Sequence, residues 1–499
     1  MADSRNINVW GALLVAALAA VVLATISTTS GQAVTPDSVV YLQGARNIAA
    51  GQGYAACDVH GELQPVLHWP PLYPALLALG EWTGLGAEAA ARWLNVLAHG
   101  ALALLAGLAV WRGVSRASAG VLVALLCAFS PTLLRVNAHM WSEPLFLCLG
   151  ITCALSLHQW LSRGRAAWFV AAALLAGLAC LQRHAGLAFV AAGAAAIVVA
   201  LKVGRRTWPS ALGLSTGWTA AALVMPVAWM VRNYSVAGRT GTRQWLLEGP
   251  TIEHAKSAGY SLAMWFGPDV AATVKIAFAV IALALLCALC LGAVRTLRRG
   301  PNLPVLLCAS FAAGYGLVLA ATILLFDNGT PLDERLTSPL LLCALVGGGL
   351  ASGIMPEHRG AALRTALAVL LLSYVARGIA TTRDAVDDSH YRAAIWRESG
   401  LVAAAQAAPG PLASNRPLVL LANVDRPCAQ WPEEGVTELL DPKGAKPFPD
   451  VTRARVELLA KLRRENGRLL MIVQDPEGFA REHGLRLESR FEGGAVFAP

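Results

Sequence analysis

Charge is scarce in this chain of 499 residues: Asp, Glu, Lys and Arg make up 14% of it, against roughly 25% in an ordinary soluble protein. A water-soluble fold of this length needs more charge to cover its surface, which excludes a soluble enzyme, a disordered protein and a collagen-like fibre. Familiar cofactor signatures are missing as well. Without a GxxxxGK[ST] loop there is no Walker-type site for an ATP-driven pump. There is no HExxH, no zinc-suited CxxC pair and no CxxCH haem attachment. Cys287 and Cys290 do form a C-x-x-C, but among leucines and alanines in an apolar run, where packing is the natural reading. No internal repeat of the kind that marks many transporters is visible.

What the chain has is apolar length: 56% of it is hydrophobic. A bilayer core needs about 20 predominantly apolar residues per helix. Eleven runs approach that, at about 8–29, 91–111, 118–134, 142–161, 167–181, 186–201, 210–231, 270–294, 303–326, 337–354 and 362–379. The first, preceded by Asp3-Ser4-Arg5 and followed by no convincing cleavage site, reads as a retained anchor. With the N-terminus inside, the cytoplasmic loops carry thirteen Lys and Arg against Asp3 and Glu357, a strong positive-inside pattern. The net charge of +9 is therefore topology rather than a footprint for nucleic acid. An odd number of spans places the C-terminus outside. The expectation is an all-α polytopic protein of a bacterial inner membrane, with about eleven transmembrane helices, over residues 1–380.

Two outer loops are long, about 30–90 and 232–269. In the first, Val39, Leu42, Ala45 and Ala49 recur at helical spacing after Pro36-Asp37, so one face of a helix from Ser38 to Ala50 suits the bilayer or the bundle. A short apolar segment at 75–85 and a stretch from Ile252 to Phe266 read as further interfacial helices. Residues 381–499 have no membrane-length run and read as a small extracytoplasmic α/β domain. Pro417–Asn423 and Arg468–Gln474 are expected as buried strands, Asp450–Asn466 as an amphipathic helix, and Leu485–Phe497 as a hairpin broken at Gly493-Gly494. Eight of the ten cysteines lie in apolar runs; Cys57 and Cys428 lie outside, where they either pair or stay free.

Ionisable residues at span mouths are functional candidates by default. They gather on the outer side, and each has a structural alternative. Asp37 can simply cap the helix that follows it. Glu143, before Pro144, can sit at a helix N-terminus for its dipole. Arg183 and His184 can mark the end of a short span, Arg232 can snorkel, and Arg335 can pair locally with Asp333-Glu334. His60 and His68 can be loop polar residues, and Trp69, Trp141, Trp245 and Trp265 interfacial belt residues.

The order of these features resembles the GT-C glycosyltransferases, especially the branch with protein O-mannosyltransferases and the lipid A aminoarabinose transferase. Thr35-Pro36-Asp37-Ser38 and Tyr41 follow the first span; His68-Trp69-Pro70-Pro71, Met140-Trp141-Ser142-Glu143-Pro144, Arg232-Asn233-Tyr234 and Asp333-Glu334-Arg335 come later. The resemblance covers about residues 8–380. It implies transfer of a sugar from a polyprenyl-phosphate carrier to a lipid, protein or polysaccharide acceptor on the outer face, with inversion if attack is direct. It puts the catalytic base at Asp37, a carboxylate able to take the proton of an acceptor hydroxyl, with Glu143 as a second site carboxylate. Arg183, His184, Arg232 and Arg335 become candidates for the donor phosphate, whose developing charge calls for cations. Tyr41, His68, Trp69 and His139 become substrate-binding candidates. Many members carry a second acid beside the first; here the neighbour is Ser38, which weakens the inference of a metal. No cofactor is evident, although a divalent cation on His139 and Glu143 is conceivable, the two lying one turn apart if one helix carries both. The rivals are a secondary transporter or flippase, which predicts charge deep in the spans, and a non-catalytic envelope assembly protein.

Overall fold

The computed structural model describes residues 2–241, 249–267, 271–297, 302–325, 332–384, 394–424, 426–434, 448 and 450–499. All eleven apolar runs fall on helices. Among the described residues, nine helices are long and apolar enough to cross a membrane, and a bent pair makes a tenth. The expected count of eleven is corrected by one bent span and one short helix. Ser130 caps a new helix at Pro131, bending the span between Ala117–Phe129 and Pro131–Ala138 by 47°. The helix Ala166–Gln182 has only 17 residues, roughly 26 Å at the α-helical rise, and so falls short of a span.

The chain divides into two compact units: residues 1–29, 93–231 and 244–386 form one, and residues 30–92, 232–243 and 387–499 the other. In the first unit, helices pack through two apolar cores, one around Leu102, Leu126 and Leu345, the other around Phe146, Phe189 and Phe311. Trp218 is fully buried and donates from Nε1 to the Val190 carbonyl at 2.9 Å, which satisfies its one polar atom. The outward faces carry Leu18, Val224, Leu283 and Leu372, all more than half exposed, as a lipid-facing surface requires. Two of the basic turns meet where Glu357 binds Arg116 at 2.8 Å and Arg364 at 2.6 Å. Glu143, Arg183 and Arg335 lie at the opposite ends of their helices.

The second unit begins with the helix Pro36–Ala49. Its N-cap is Thr35, in a capping box with Ser38, and not Asp37, which lies within the first turn. Arg46 ties this helix to Glu81, at the end of the helix Leu72–Trp82, and to Glu88 at 3.0 Å. Strands β1 (Ala55–Cys57) and β2 (Leu63–Pro65) form a hairpin. The tail sheet has β3 (Leu412–Ser414), β4 (Cys428–Gln430), β5 (Arg468–Ile472), β6 (Arg486–Phe491) and β7 (Gly494–Ala498), in the order β4-β3-β5-β7-β6. Strand β3 runs parallel to β4 and β5, while β7 is antiparallel to β5 and β6. The hairpin reaches the sheet within this unit. Gln430 donates to the Val59 carbonyl at 2.8 Å, and Gly61, at φ +72°, lies so close to β4 that a Cβ would stand 2.9 Å from the Ala429 nitrogen.

One expectation for the tail changes. Pro417–Asn423 is a helix, with Pro417 in its first turn where proline is favoured, and the strands β3 and β4 flank it instead. A short continuous apolar run does not distinguish a buried helix from a buried strand. The helix Val451–Arg464, capped by Asp450, and the β6–β7 hairpin agree with the reading.

Candidate active site

In the first unit, Glu143 opens the helix Glu143–Arg163, with Pro144 inside the first turn. Its side chain is 2% exposed and its Oε1 accepts from both Arg183 and Arg335. Oε2 is buried and has no hydrogen-bond partner among the described residues. Arg183 follows the helix Ala166–Gln182 with extended backbone and also donates to the Ser142 hydroxyl at 3.3 Å. Gln182 donates to the Ser142 carbonyl at 2.8 Å. Arg335 comes from the first turn of Glu334–Ile354, which Asp333 caps through a 2.9 Å bond from the Leu336 nitrogen. Three helix termini thus converge on one carboxylate, with the Asp333 carboxyl within electrostatic reach of all three side chains. Burial pushes the Asp333 carboxyl up, offset by its capping bond and then by Arg335.

Aromatic contact fixes this cluster further. The Arg335 guanidinium lies 5.1 Å from the centre of the Trp141 ring, and the His139 ring stacks on that ring at 4.0 Å and 18°. Asn95 donates to the carbonyls of His139 and Trp141, at 3.1 Å each, and so pins the chain break between helices. That break corrects the one-turn spacing of His139 and Glu143: His139 ends the helix Pro131–Ala138 with extended backbone, and a new helix starts at Glu143. The Nδ1 of His139 bonds the Arg135 carbonyl at 2.8 Å. With two guanidiniums on Glu143, the pair does not suit a cation, and no group of three or more His, Cys, Asp or Glu able to hold a metal occurs among the described residues. His184 lies exposed on the short 3-10 turn after Arg183.

The second unit holds the remaining candidates. Asp37 is half-buried, and Tyr41 follows it one turn later on the same helical face. Tyr41 is 3% exposed and meets the Tyr73 ring edge-on at 5.2 Å. Beside them lies Tyr54, absent from the sequence-based candidates. Burial first, then the Tyr41 and Asp37 charges, push its hydroxyl well above the usual tyrosine range, while Arg232 pulls the other way. Tyr54 therefore lies within electrostatic reach of Asp37, Tyr41 and Arg232. Room for it comes from Gly44, where a Cβ would stand 2.4 Å from the Tyr54 ring. We expect Gly44→Ala to cost about 1–3 kcal/mol as an overpacked contact and to shift the Tyr54 ring; thermal unfolding and tyrosine fluorescence check it.

Arg232 clamps a loop rather than snorkelling: it donates to the carbonyls of Val66 at 3.1 Å and Tyr54 at 3.4 Å. Asn233, fully buried, donates to the Thr240 carbonyl at 3.1 Å. The half-buried rings of His68 and Trp69 follow this clamped segment, edge-on at 4.8 Å. Of the expected belt tryptophans, Trp265 is buried at 2% exposure, Trp141 is sandwiched as described, and Trp245 lies outside the described residues. Sequence reasoning missed Arg135, paired with Glu334 at 2.7 Å, and Arg377, which donates to the Met264 carbonyl at 2.6 Å. The signal for Arg377 was a charge inside the last apolar run.

No family model matches the sequence, and no curated protein matches it. Solved structures do match. ArnT from Cupriavidus metallidurans in the apo state superposes at TM-score 0.60 with 16% identity, over 100% of this chain and 98% of that chain. The same protein bound to undecaprenyl phosphate gives 0.60 and 15%, over 98% of each chain. The archaeal oligosaccharyltransferase AglB from Archaeoglobus fulgidus, in complex with an inhibitory peptide and a dolichol-phosphate, gives 0.56 and 13%, over 94% of this chain and 69% of that one. The chain has the GT-C fold.

Proposed function

We propose, from that GT-C fold, that this chain is a membrane glycosyltransferase that moves a sugar from a polyprenyl-phosphate carrier to an acceptor hydroxyl. The chemistry takes place at the end opposite the basic turns, outside a bacterial inner membrane if those turns are cytoplasmic. On this reading the N-terminus is cytoplasmic, the tail domain is extracytoplasmic, and the partners are the lipid-borne donor, a lipid, protein or polysaccharide acceptor, and bilayer lipid.

The observation that carries the proposal is the pair of guanidiniums fixed on one buried carboxylate, Arg183 and Arg335 on Glu143. A lipid phosphate leaving an anomeric carbon gains negative charge, and preorganised cations stabilise that charge without reorganising at the moment of reaction. Glu143 is a positioning residue here, since the Oε1 it offers is already occupied by the two arginines. Asp37 is the base that takes the acceptor proton. Its neighbours Tyr41 and Tyr54 give it an aromatic, partly desolvated setting suited to a sugar ring. Attack on the anomeric carbon is direct, so configuration inverts. Arg232 serves the site by holding the loop at 54–67, and His68 and Trp69 offer sugar contacts.

The test is turnover. Purified protein in nanodiscs is offered polyprenyl-phosphate sugars one at a time, with envelope lipid and protein fractions as acceptors, and release of polyprenyl phosphate is followed. One donor is expected to be consumed above the protein-free background. A folded preparation that consumes none of them overturns the proposal.

A further inference from the structure

An apolar pocket opens on the first unit, and Leu147 and Pro339 in its lining stand one helical turn from Glu143 and Arg335. On the helix Glu143–Arg163 its lining extends from Leu147 to His158, roughly 16 Å along the helix axis, or about half a bilayer core. Two of its polar atoms are already bonded. The Tyr315 hydroxyl donates to the Leu336 carbonyl at 3.0 Å and the Cys308 thiol to the Cys343 carbonyl at 3.3 Å. At the other end, level with the basic turns, the lining includes His158 and Arg112.

Arg112 differs from Arg116 and Arg364 at that end. Arg116 and Arg364 share Glu357, whereas Arg112 has no carboxylate in ion-pair range among the described residues. Instead its guanidinium is held 5.3 Å from the centre of the Trp111 ring and 5.9 Å from that of Trp10, two rings that meet edge-on. A cation held by aromatic rings, exposed and with no carboxylate in ion-pair range among the described residues, stands at one end of the apolar pocket.

We propose that this cavity is a binding site for an anionic glycerophospholipid of the leaflet at the basic end. One acyl chain fills the cavity and the phosphate sits against Arg112 beside His158; the second chain stays in the bilayer. The argument is charge complementarity at the mouth and apolar length behind it. The headgroup position lies at the far end of these helices from the Glu143 cluster.

Native mass spectrometry of the purified full chain in detergent, titrated with phosphatidylglycerol or phosphatidylcholine, tests this. One phosphatidylglycerol is expected to bind in preference to phosphatidylcholine. In Arg112→Gln that preference should fall by about fivefold, the typical contribution of one basic side chain to anionic-lipid attraction. Ala154→Phe, which fills the cavity wall, should lose the bound lipid whatever its headgroup, with its thermal midpoint showing that the bundle is folded. Unchanged phosphatidylglycerol binding in both variants overturns the proposal. Displacement of phosphatidylglycerol by equimolar undecaprenyl phosphate overturns the choice of occupant. No sugar donor is present, so the result stands apart from the transferase reading.

Discussion

Replacing Glu143 by alanine is expected to destabilise the chain by about 3–5 kcal/mol, the range found when one partner of a buried ion pair is removed. The side chains of Arg183 and Arg335 are 14% and 18% exposed, and both direct guanidinium nitrogens at a carboxylate that is 2% exposed. Without it, two cations stay in a largely dry place at the meeting of three helix ends. Thermal unfolding of the purified protein, read by tryptophan fluorescence, checks this. A companion variant separates stability from function. Changing all three residues together, Arg183→Met, Glu143→Leu and Arg335→Met, removes the charges as a set, and such replacements are often neutral or stabilising. It should restore the unfolding midpoint yet abolish polyprenyl-phosphate binding. Binding at the wild-type level in a folded triple variant would reduce the cluster to a helix fastener.

Asp37→Asn is expected to slow sugar transfer by about 10²–10⁴-fold, the usual contribution of a positioned general base. Asparagine keeps the shape and loses the proton acceptor. The helix should tolerate the change, because Thr35 and Ser38 supply the cap. Donor binding should persist, since the proposed phosphate contacts are arginines elsewhere in the chain. Steady-state rates with a saturating donor, together with thermal midpoints for both proteins, distinguish a lost base from a lost fold.

The sequence made the bundle legible because membrane insertion demands long apolar helices, and nine of the eleven runs fall on helices long enough to cross a membrane. What it could not settle was where a helix breaks within a run. Ser130-Pro131 and the stretch from His139 to Ser142 interrupt apolar segments with a proline or a few polar residues, and the consequence for His139 and Glu143 follows from three-dimensional contacts with Asn95. The pairing of Glu143 with Arg183 and Arg335 was unreadable for the same reason: 40 and 192 residues separate them. Tyr54 escaped notice because a tyrosine in a loop carries no periodic signal. Its place depends on Gly44, an absence of side chain that leaves room for the ring. In the tail, Pro417–Asn423 misled because both a buried strand and a buried helix are apolar throughout.

The central claim is that one carboxylate, at position 37, performs proton abstraction for a lipid-linked sugar. The most direct measurement is single-turnover transfer from the donor that the wild-type chain consumes, in wild type and Asp37→Asn reconstituted side by side in nanodiscs. Bound polyprenyl phosphate is quantified in the same samples. The account predicts equal occupancy by the lipid and transfer slowed about 10²–10⁴-fold in the asparagine variant. Transfer at the wild-type rate by the asparagine variant, at equal occupancy, would contradict it.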